Sequence, residues 1–442
     1  MGRLSRWLLA VPAAGLLLFA GASGAAAFDG FGAGTVDSTY GGEVRFEIEL
    51  EGSAPERLEL LIGTPGADGV FVTPVQASGG TAVYGWDTSA DHLVPNTLVT
   101  YTWRAIDGET VTTTEPATHR YEDDRPGLDW QRAQLGEATV HWYGDAEAQA
   151  IRFGELTAQG VARAEQLLGT ELAGPVDIFV YDSQEEFFGA LGPGAREWTG
   201  AAAYSELRTI FMWLGGGSTS YLEVAMLHEV THIVFHDATD NPFHEPARWL
   251  NEGVATWSES SNASGERPIV AAEASGGGLF SFDAITEQFP IGERGGRLSY
   301  AQGTTMVDLI VDRHGEEAIA AIAAAYREGA SDAEALEAGT GVPAEDLYAT
   351  FFAEFGVDAP QPVAAEPIPP SNVDRPPSGI VDEGGVDPEA EPPPDESAPN
   401  EEPATETDDS QLGVLVLLGV GAVVVIGAAV LIARRAARAG VG

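Results

Sequence analysis

Apolar and polar residues alternate with period two through the first third of the chain. Residues 43–50 do so without interruption, as a strand with one buried face does. Clusters of Gly, Pro, Asn and Asp separate the alternating stretches, and Asp107-Gly108 is a strong hairpin signal. Residues 28–121 are therefore predicted to form an all-β sandwich of immunoglobulin or fibronectin type. The further predicted strands are 58–62, 69–75, 82–86, 98–106 and 109–114.

The pattern changes after residue 130, where apolar residues begin to recur at helical spacing. A few strands followed by a helical half are typical of an α+β domain, which we assign to residues 130–358. The predicted strands of this part are 138–142, 175–181 and 209–213, and the predicted helices are 148–168, 222–235, 248–257, 300–313, 317–327 and 344–355.

Both ends of the chain carry patterns typical of segments outside a folded domain. Residues 1–27 have the early arginines, apolar stretch and small-residue cleavage site of a signal peptide. Residues 359–411 are acidic and Pro-rich, which predicts a disordered stalk. Residues 412–433 lack charge and are long enough to cross a bilayer of about 30 Å. Arginines follow in 434–442, which predicts a cytoplasmic tail. We therefore expect a single-pass cell-membrane protein with its folded part extracellular.

Composition removes several function classes. The 442 residues carry a formal net charge of −46, which repels phosphate backbones, so we expect no nucleic-acid partner. The sequence contains no cysteine, which excludes disulfides and thiolate zinc sites. It also contains no lysine, which excludes Schiff-base chemistry and the phosphate-binding lysine of P-loops.

The most informative motif is His228-Glu229-Val230-Thr231-His232 within a predicted helix. Residues i and i+4 share a helix face, so His228 and His232 can converge on one cation. Zn²⁺ accepts imidazole nitrogens as ligands and, in catalytic sites, keeps one position for water. Glu229 would then stand beside that water as a general base. The motif predicts a zinc site, with Zn²⁺ as the cofactor.

Two histidines leave a zinc ion short of a third protein ligand. The metzincin spacing does not apply, because Phe235 and Ala238 stand where that class has Gly and His. Glu252 follows His232 by twenty residues, at the start of a helix-compatible segment. His236, His244, Glu245 and Asp240 are alternatives to Glu252 as the third ligand.

The pentapeptide followed by Arg248-Trp249-Leu250-Asn251-Glu252-Gly253-Val254-Ala255 resembles the peptidase MA-like family of gluzincin zinc metallopeptidases. The resemblance extends over roughly residues 130–355. It implies that His228, His232 and Glu252 bind zinc and that Glu229 activates the zinc-bound water. One departure stands out. Gluzincins of the thermolysin type have Asp four residues after the glutamate ligand to orient a histidine, whereas this chain has Thr256 there.

Two further roles follow from the same resemblance. Tyr300, in Tyr300-Ala301-Gln302-Gly303, is the candidate donor to the developing oxyanion, or else a packing residue at a helix start. Residues 209–213 are either an edge strand that binds extended peptide or an ordinary interior strand.

The sequence therefore predicts a zinc metallopeptidase that hydrolyses peptide bonds of peptide or protein substrates outside the cell. The alternative from a different class is a catalytically silent surface-anchored binding or adhesion module on a protease-like fold. A zinc hydrolase of non-peptide amides would share every residue named above.

Overall fold

The computed structural model describes residues 28–67, 69–89, 92–193, 200–290 and 292–360. The predicted signal peptide, transmembrane helix, cytoplasmic tail and nearly all of the predicted stalk lie outside these residues and stay predictions. Within the described ranges, no helix combines the length and the apolar character needed to cross a membrane.

The N-terminal region consists of two antiparallel sheets. The first has the strand order β1-β2-β6-β5; in the second, β4, β3, β7 and β8 follow one another and β9 also pairs with β7. The predicted hairpin at Gly108 joins β7 to β8, where Asp107 pairs with Thr110. The strands are Phe28–Ser38 (β1), Glu43–Gly52 (β2), Arg57–Gly63 (β3), Phe71–Pro74 (β4), Ala77–Ser78 (β5), Thr81–Asp87 (β6), Leu98–Asp107 (β7), Thr110–Thr113 (β8) and Ala117–Arg120 (β9).

Alternation along the strands explains how these two sheets pack. In β2 every second residue is buried, from Val44 to Leu50. These side chains share one apolar cluster with buried residues of β3 and β7, including Leu60 and Trp103. One face of each sheet therefore covers the other, as the period-two pattern requires.

The second region is built on a five-stranded sheet with the order β10-β11-β12-β14-β13. Its three inner strands are parallel, while β10 and β13 pair antiparallel with their neighbours. The segment predicted as either interior or edge strand is β14, an interior strand, and β13 is the edge strand of the described sheet. The strands are Gln131–Leu135 (β10), Ala138–Trp142 (β11), Val176–Tyr181 (β12), Ala201–Tyr204 (β13) and Thr209–Trp213 (β14).

Nine α-helices in the described residues complete this region. The helices are Glu147–Leu168 (α1), Gln184–Leu191 (α2), Thr219–Thr239 (α3), Arg248–Ser260 (α4), Arg267–Ser275 (α5), Glu293–His314 (α6), Glu316–Arg327 (α7), Asp332–Thr340 (α8) and Ala344–Glu354 (α9). A β-rich region followed by an α+β region is the order that the sequence predicted, so this part of the fold class is confirmed.

Helix α3 lies at the centre of the second region. It contacts α1, α4, α7 and the edge strand β13. Its apolar residues are buried on several sides, as expected for a helix surrounded by others. Ser218 caps its N-terminus by accepting a hydrogen bond from the Tyr221 N–H at 3.3 Å. His228 and His232 share one face of α3, while Glu223 and Asp237 pair with arginines elsewhere on the helix.

Direct hydrogen bonds join the two regions. The Asn96 side chain donates to Asp177 at 3.2 Å and to Thr209 at 2.7 Å. His141 lies 2.8 Å from the other carboxylate oxygen of Asp177. The Tyr40 hydroxyl donates to the carbonyl of Gly189 at 2.9 Å. The β-rich region is thereby attached to the first residues of the central strands β12 and β14.

Asp177→Asn should weaken this junction. Burial by itself raises the pKa of Asp177, but hydrogen bonds from His141 and Asn96 lower it below its ordinary value. The ionised Asp177 carboxylate therefore stabilises the fold fully at pH values above the ordinary aspartate pKa, and this stabilisation is lost as pH falls through the lower pKa of the folded state. We expect a loss of about 1–2 kcal/mol at neutral pH, measured by thermal unfolding of the full-length protein, and a smaller loss below pH 4. Asp29→Asn, at an exposed strand position, is the control; equal destabilisation by both would contradict the assignment.

Candidate metal centre

The two histidines of the pentapeptide lie on one face of α3. His228 and His232 are one helical turn apart, and their Nε2 atoms are separated by 3.1 Å. Their side chains are 14% and 13% exposed, so the pair is largely buried but reaches solvent. Spacing of four residues on a helix accounts for this convergence.

Glu252 reaches the same point from α4. Its Oε2 atom lies 3.4 Å from the His232 Nε2 and 3.6 Å from the His228 Nε2. Three ligands at the bond lengths usual for tetrahedral zinc would be separated by about 3.3 Å. The three measured separations bracket that value. Within the described residues, this trio is the group of His, Asp and Glu side chains that could hold a metal ion.

A close crossing of α4 and α6 holds Glu252 in position. A Cβ atom on Gly253 would lie 2.6 Å from the Gly303 carbonyl carbon, and one on Gly303 would lie 2.3 Å from the Trp249 carbonyl oxygen. Both distances are too short for any side chain. The glycines of the Asn-Glu-Gly and Tyr-Ala-Gln-Gly segments therefore let two helix backbones touch beside the centre.

The hydrogen bonds that the two Nδ1 atoms donate define which ring nitrogens face the centre. The His228 Nδ1 lies 2.9 Å from the Glu259 carboxylate, and the His232 Nδ1 lies 2.8 Å from the Asn251 side-chain oxygen. Both partners are acceptors, so each Nδ1 carries a proton and donates it. In the neutral rings the two Nε2 atoms then present lone pairs to each other and to Glu252.

This set of atoms fits a cation. Glu252 Oε2 is buried and has no hydrogen-bond partner in the structure. Leaving a buried polar atom unpaired costs about 1–3 kcal/mol. Two ring nitrogens and one carboxylate oxygen converge at this point, and a positive charge there, a proton or a metal ion, is stabilised by the Glu252 and Glu259 carboxylates. Two histidines and one glutamate are a ligand set that catalytic zinc sites use, and such sites leave the fourth position for water.

Local electrostatics agree with strong attraction between the carboxylates and the imidazoles. Burial by itself raises the pKa of Glu252, but the charge and hydrogen bonds of His232 and His228 lower it well below its usual range. Burial by itself lowers the pKa of His228, yet hydrogen bonds to Glu252 and Glu259 raise it well above its usual range. The carboxylate of the trio is therefore anionic.

Glu229 lies beside the trio without belonging to it. Burial raises its pKa, the nearby charges of His228 and His232 oppose that rise, and the backbone N–H of Ala203 also lowers the pKa. Since Ala203 belongs to β13, the edge strand of the described sheet, Glu229 lies near this strand as well as near the two histidines. This is where a proton acceptor for a water at the centre is needed.

Tyr300 lies on α6, well inside the helix rather than at its start as the packing alternative assumed. Its ring centroid is 6.3 Å from that of His228. Burial raises the pKa of its hydroxyl far above the ordinary value, and the Glu252 and Glu229 charges add to this rise. The hydroxyl is therefore protonated and available as a donor.

The downstream alternatives to Glu252 lie elsewhere. His244 and Glu245 are exposed in the loop between α3 and α4, and the His244 ring contacts Tyr326. Neither these residues nor His236 belongs to the metal-binding group of the described residues. A cavity of about 580 Å³ between α5 and α6 also contains none of the predicted site residues, so chemistry rather than volume marks the site.

Two residues of the centre, Glu259 and Asn251, were not predicted. Thr256, which replaces the thermolysin-type aspartate, is buried with its hydroxyl unpartnered, and Glu259 orients His228 instead. Glu259 lies seven residues after Glu252, two helical turns along the same face. That periodicity was the available signal. Asn251 adjoins Glu252 in the sequence, and only the crossing of α3 and α4 brings it to His232.

Residues 156–354 match the family model described as the Peptidase MA superfamily, which agrees with the resemblance predicted from the sequence. A comparison with curated proteins found no match.

Among solved structures, a mutant M1 zinc metallopeptidase from Deinococcus radiodurans is similar at 14% identity and a TM-score of 0.38, covering 78% of this chain and 97% of that one. The same enzyme bound to a Tyr-Ser-Ala substrate gives a TM-score of 0.34 with equal identity and coverage. A bromine derivative of BhCBM56 is 11% identical, covers 20% of this chain and 88% of that one, and has a TM-score of 0.17. At these scores the likenesses carry no inference about activity.

Glu259→Ala should weaken metal binding because it removes the acceptor that fixes the His228 ring. Loss of such a partner typically costs about 10–100-fold in metal affinity. Zinc affinity of the full-length protein, measured by competition with a chelator, reports the effect. Glu354→Ala is the control, since Glu354 is also partly buried but pairs with Arg267 and Arg313 rather than with a histidine. Unchanged affinity in Glu259→Ala would contradict the orienting role.

Proposed function

We propose that the protein is a zinc-dependent metallopeptidase that hydrolyses peptide bonds, with His228, His232 and Glu252 as the zinc ligands. One observation carries the proposal. Two imidazole nitrogens and one carboxylate oxygen, all of them zinc-ligand types, converge at separations of 3.1–3.6 Å, and the charges of the two histidines act on the nearby Glu229 carboxylate. The match of residues 156–354 to the Peptidase MA superfamily model supports the reaction class.

Glu229 acts as the general base in this proposal. When bound, zinc supplies a Lewis acid that polarises a carbonyl and makes water more acidic at neutral pH. Glu229 accepts the proton of the attacking water and delivers it to the leaving amine. Its raised pKa brings its proton affinity nearer to the range in which a carboxyl group can do both.

Tyr300 donates a hydrogen bond to the oxyanion that develops on the scissile carbonyl. Its buried, protonated hydroxyl lies near both Glu229 and Glu252, as its pKa shift indicates. Because the hydroxyl is held by a long helix packed closely on α4, little reorganisation is needed when charge develops.

The free edge of β13 is the proposed binding surface for an extended substrate. An added peptide strand would pair with the backbone of Ala201–Tyr204, whose side chains are small up to the final tyrosine. Ala203 acts on Glu229 through its backbone, so a peptide bond held on this edge would lie next to the base.

The proposal extends to the cellular setting. Residues 1–27 and 412–433 have the patterns of a signal peptide and a membrane anchor, and the acidic segment 359–411 has that of a stalk. We propose that residues 28–121 form a sandwich domain and residues 130–358 the peptidase domain, both outside the cell, with 434–442 in the cytoplasm.

Glu229→Gln is the direct test of the function. The full-length wild-type protein should hold about one zinc ion and cleave peptides from a broad library. The variant should keep its zinc and lose about 10²–10⁴-fold in kcat. Glu223→Gln on the same helix, where Glu223 pairs with Arg152, should retain activity.

Each other outcome has a definite meaning. If wild type and Glu229→Gln both bind zinc and are equally inert on all peptides, the catalytically silent binding module is favoured. Hydrolysis of simple amides without peptide cleavage would favour the non-peptide hydrolase. Full activity in Glu229→Gln would remove Glu229 from the base role.

Tyr300→Phe separates oxyanion stabilisation from packing. The ring and its contacts with Phe289 are kept, and only the hydroxyl is lost. We expect kcat to fall about 100-fold or more with little change in KM or in zinc content. Steady-state kinetics and metal analysis of the full-length protein measure these quantities; an unaltered kcat would leave Tyr300 as a packing residue.

A further inference from the structure

Arg248, the first residue of α4, places a positive charge next to the metal ligands. Its Nε atom lies 3.8 Å from Oε1 of Glu252, one helical turn further along. The other oxygen of that carboxylate faces the two histidines. The guanidinium is thus separated from the proposed zinc position by one carboxylate group. Its side chain is 45% exposed, so it reaches solvent at the open side of the centre.

Among the residues that the structure describes, no group lies within hydrogen-bond distance of the Arg248 guanidinium. A separation of 3.8 Å exceeds the range for an N–H donor to an oxygen, so the contact with Glu252 is a loose ion pair. The guanidinium also contacts the Phe289 ring, 5.3 Å from the guanidinium carbon. Other arginines of this region are held more closely. Arg208 lies 2.7 Å from Asp237, and Arg163 lies 3.0 Å from Glu316. Arg248 therefore keeps several donors for an external partner.

The aromatic contacts place this charge on the substrate side. Phe289 lies beneath the guanidinium and packs edge-on against Tyr300 at 5.3 Å. Tyr300 in turn lies beside His228. The Arg248 charge also lowers the pKa of Tyr300 against the larger effect of burial. Arg248 and the proposed oxyanion donor are therefore neighbours beside the metal ligands.

We propose that Arg248 is a specificity-determining residue that binds a carboxylate of the substrate close to the scissile bond. This inference rests on the proposed peptidase function and specifies its substrate class. A planar guanidinium with free donors on a flat aromatic support suits bidentate carboxylate binding. The same charge disfavours a free amino group at that place. On a protein with a net charge of −46, a positive residue at the centre also offsets the repulsion that an acidic substrate meets.

The carboxylate has two possible sources, an Asp or Glu side chain within the peptide and the C-terminus of a short peptide. Three sets of N-acetylated peptides distinguish them: neutral peptides with C-terminal amides, the same peptides with one glutamate at each position in turn, and neutral peptides with free C-termini. Cleavage by the zinc-loaded full-length protein is mapped by mass spectrometry, and kcat/KM is measured for each set.

The variants are Arg248→Gln, Arg248→Lys and the control Arg313→Gln. Arg313 is a close match, since it is also 45% exposed and pairs with a glutamate. In the wild type, kcat/KM for one carboxylate set should exceed that for the neutral amides by about tenfold or more, the effect of one charge-assisted contact. Arg248→Gln should bring this ratio near one, Arg248→Lys should retain part of it, and Arg313→Gln should leave it unchanged.

A binding measurement removes the dependence on turnover. In the zinc-loaded Glu229→Gln background, the Kd of the preferred carboxylate peptide, measured by calorimetry, should rise about tenfold on Arg248→Gln, while that of its neutral amide changes less. Zinc affinity is measured alongside.

The outcomes separate this inference from the function on which it rests. Cleavage of no peptide by the wild type counts against the peptidase. Cleavage without carboxylate preference, or a preference that survives Arg248→Gln, overturns the role of Arg248. Equal loss of preference in Arg313→Gln also overturns it, because the effect would then be one of overall charge. A change in zinc affinity with an unchanged ratio would show that Arg248 only screens Glu252.

Discussion

The candidate site depends on the convergence of three ligand atoms at one point. Two imidazole nitrogens and a carboxylate oxygen lie 3.1–3.6 Å apart, and they come from two separate helices. Folding must therefore supply the force that holds them together. That force comes from the packing of α3 against α4 and of α4 against α6, within the larger of the apolar clusters. A cation turns the same arrangement into a binding site.

Each element around the centre supplies one constraint. Ser218 caps the N-terminus of α3 and so defines the residue at which this helix begins. The contact of Gly253 with Gly303 brings α4 and α6 to backbone distance, which places Glu252 and Tyr300 on the same side of the histidines. The backbone N–H of Ala203, in the edge strand β13, interacts with Glu229. The metal ligands and Tyr300 are thus held by three helices, and β13 and Arg248 lie next to them.

The outer contacts of the histidines differ from the thermolysin pattern but satisfy the same requirement. A histidine that binds a metal through Nε2 needs an acceptor at Nδ1 to hold its ring and its tautomer. With Thr256 one turn after Glu252, that acceptor is absent from its usual place. Glu259, two turns after Glu252, faces the same side of α4 and reaches His228 at 2.9 Å. A requirement set by coordination chemistry is met from a different position of the same helix.

Local pattern determined a large part of this protein. Strong periodicity located β2, β7 and α1 nearly to the residue, because burial of one face imposes period two or 3.6 directly on the sequence. The four-residue spacing of the histidines likewise guarantees their convergence in any helix. Short elements such as β13, α5 and α8 were not predicted, because so few residues carry too little periodic signal. What only the tertiary structure decided is how distant segments meet. The edge position of β13, the approach of Glu252, Asn251 and Glu259 to the histidines, and the place of Arg248 beside them depend on helix crossings and strand order, which no local spacing encodes.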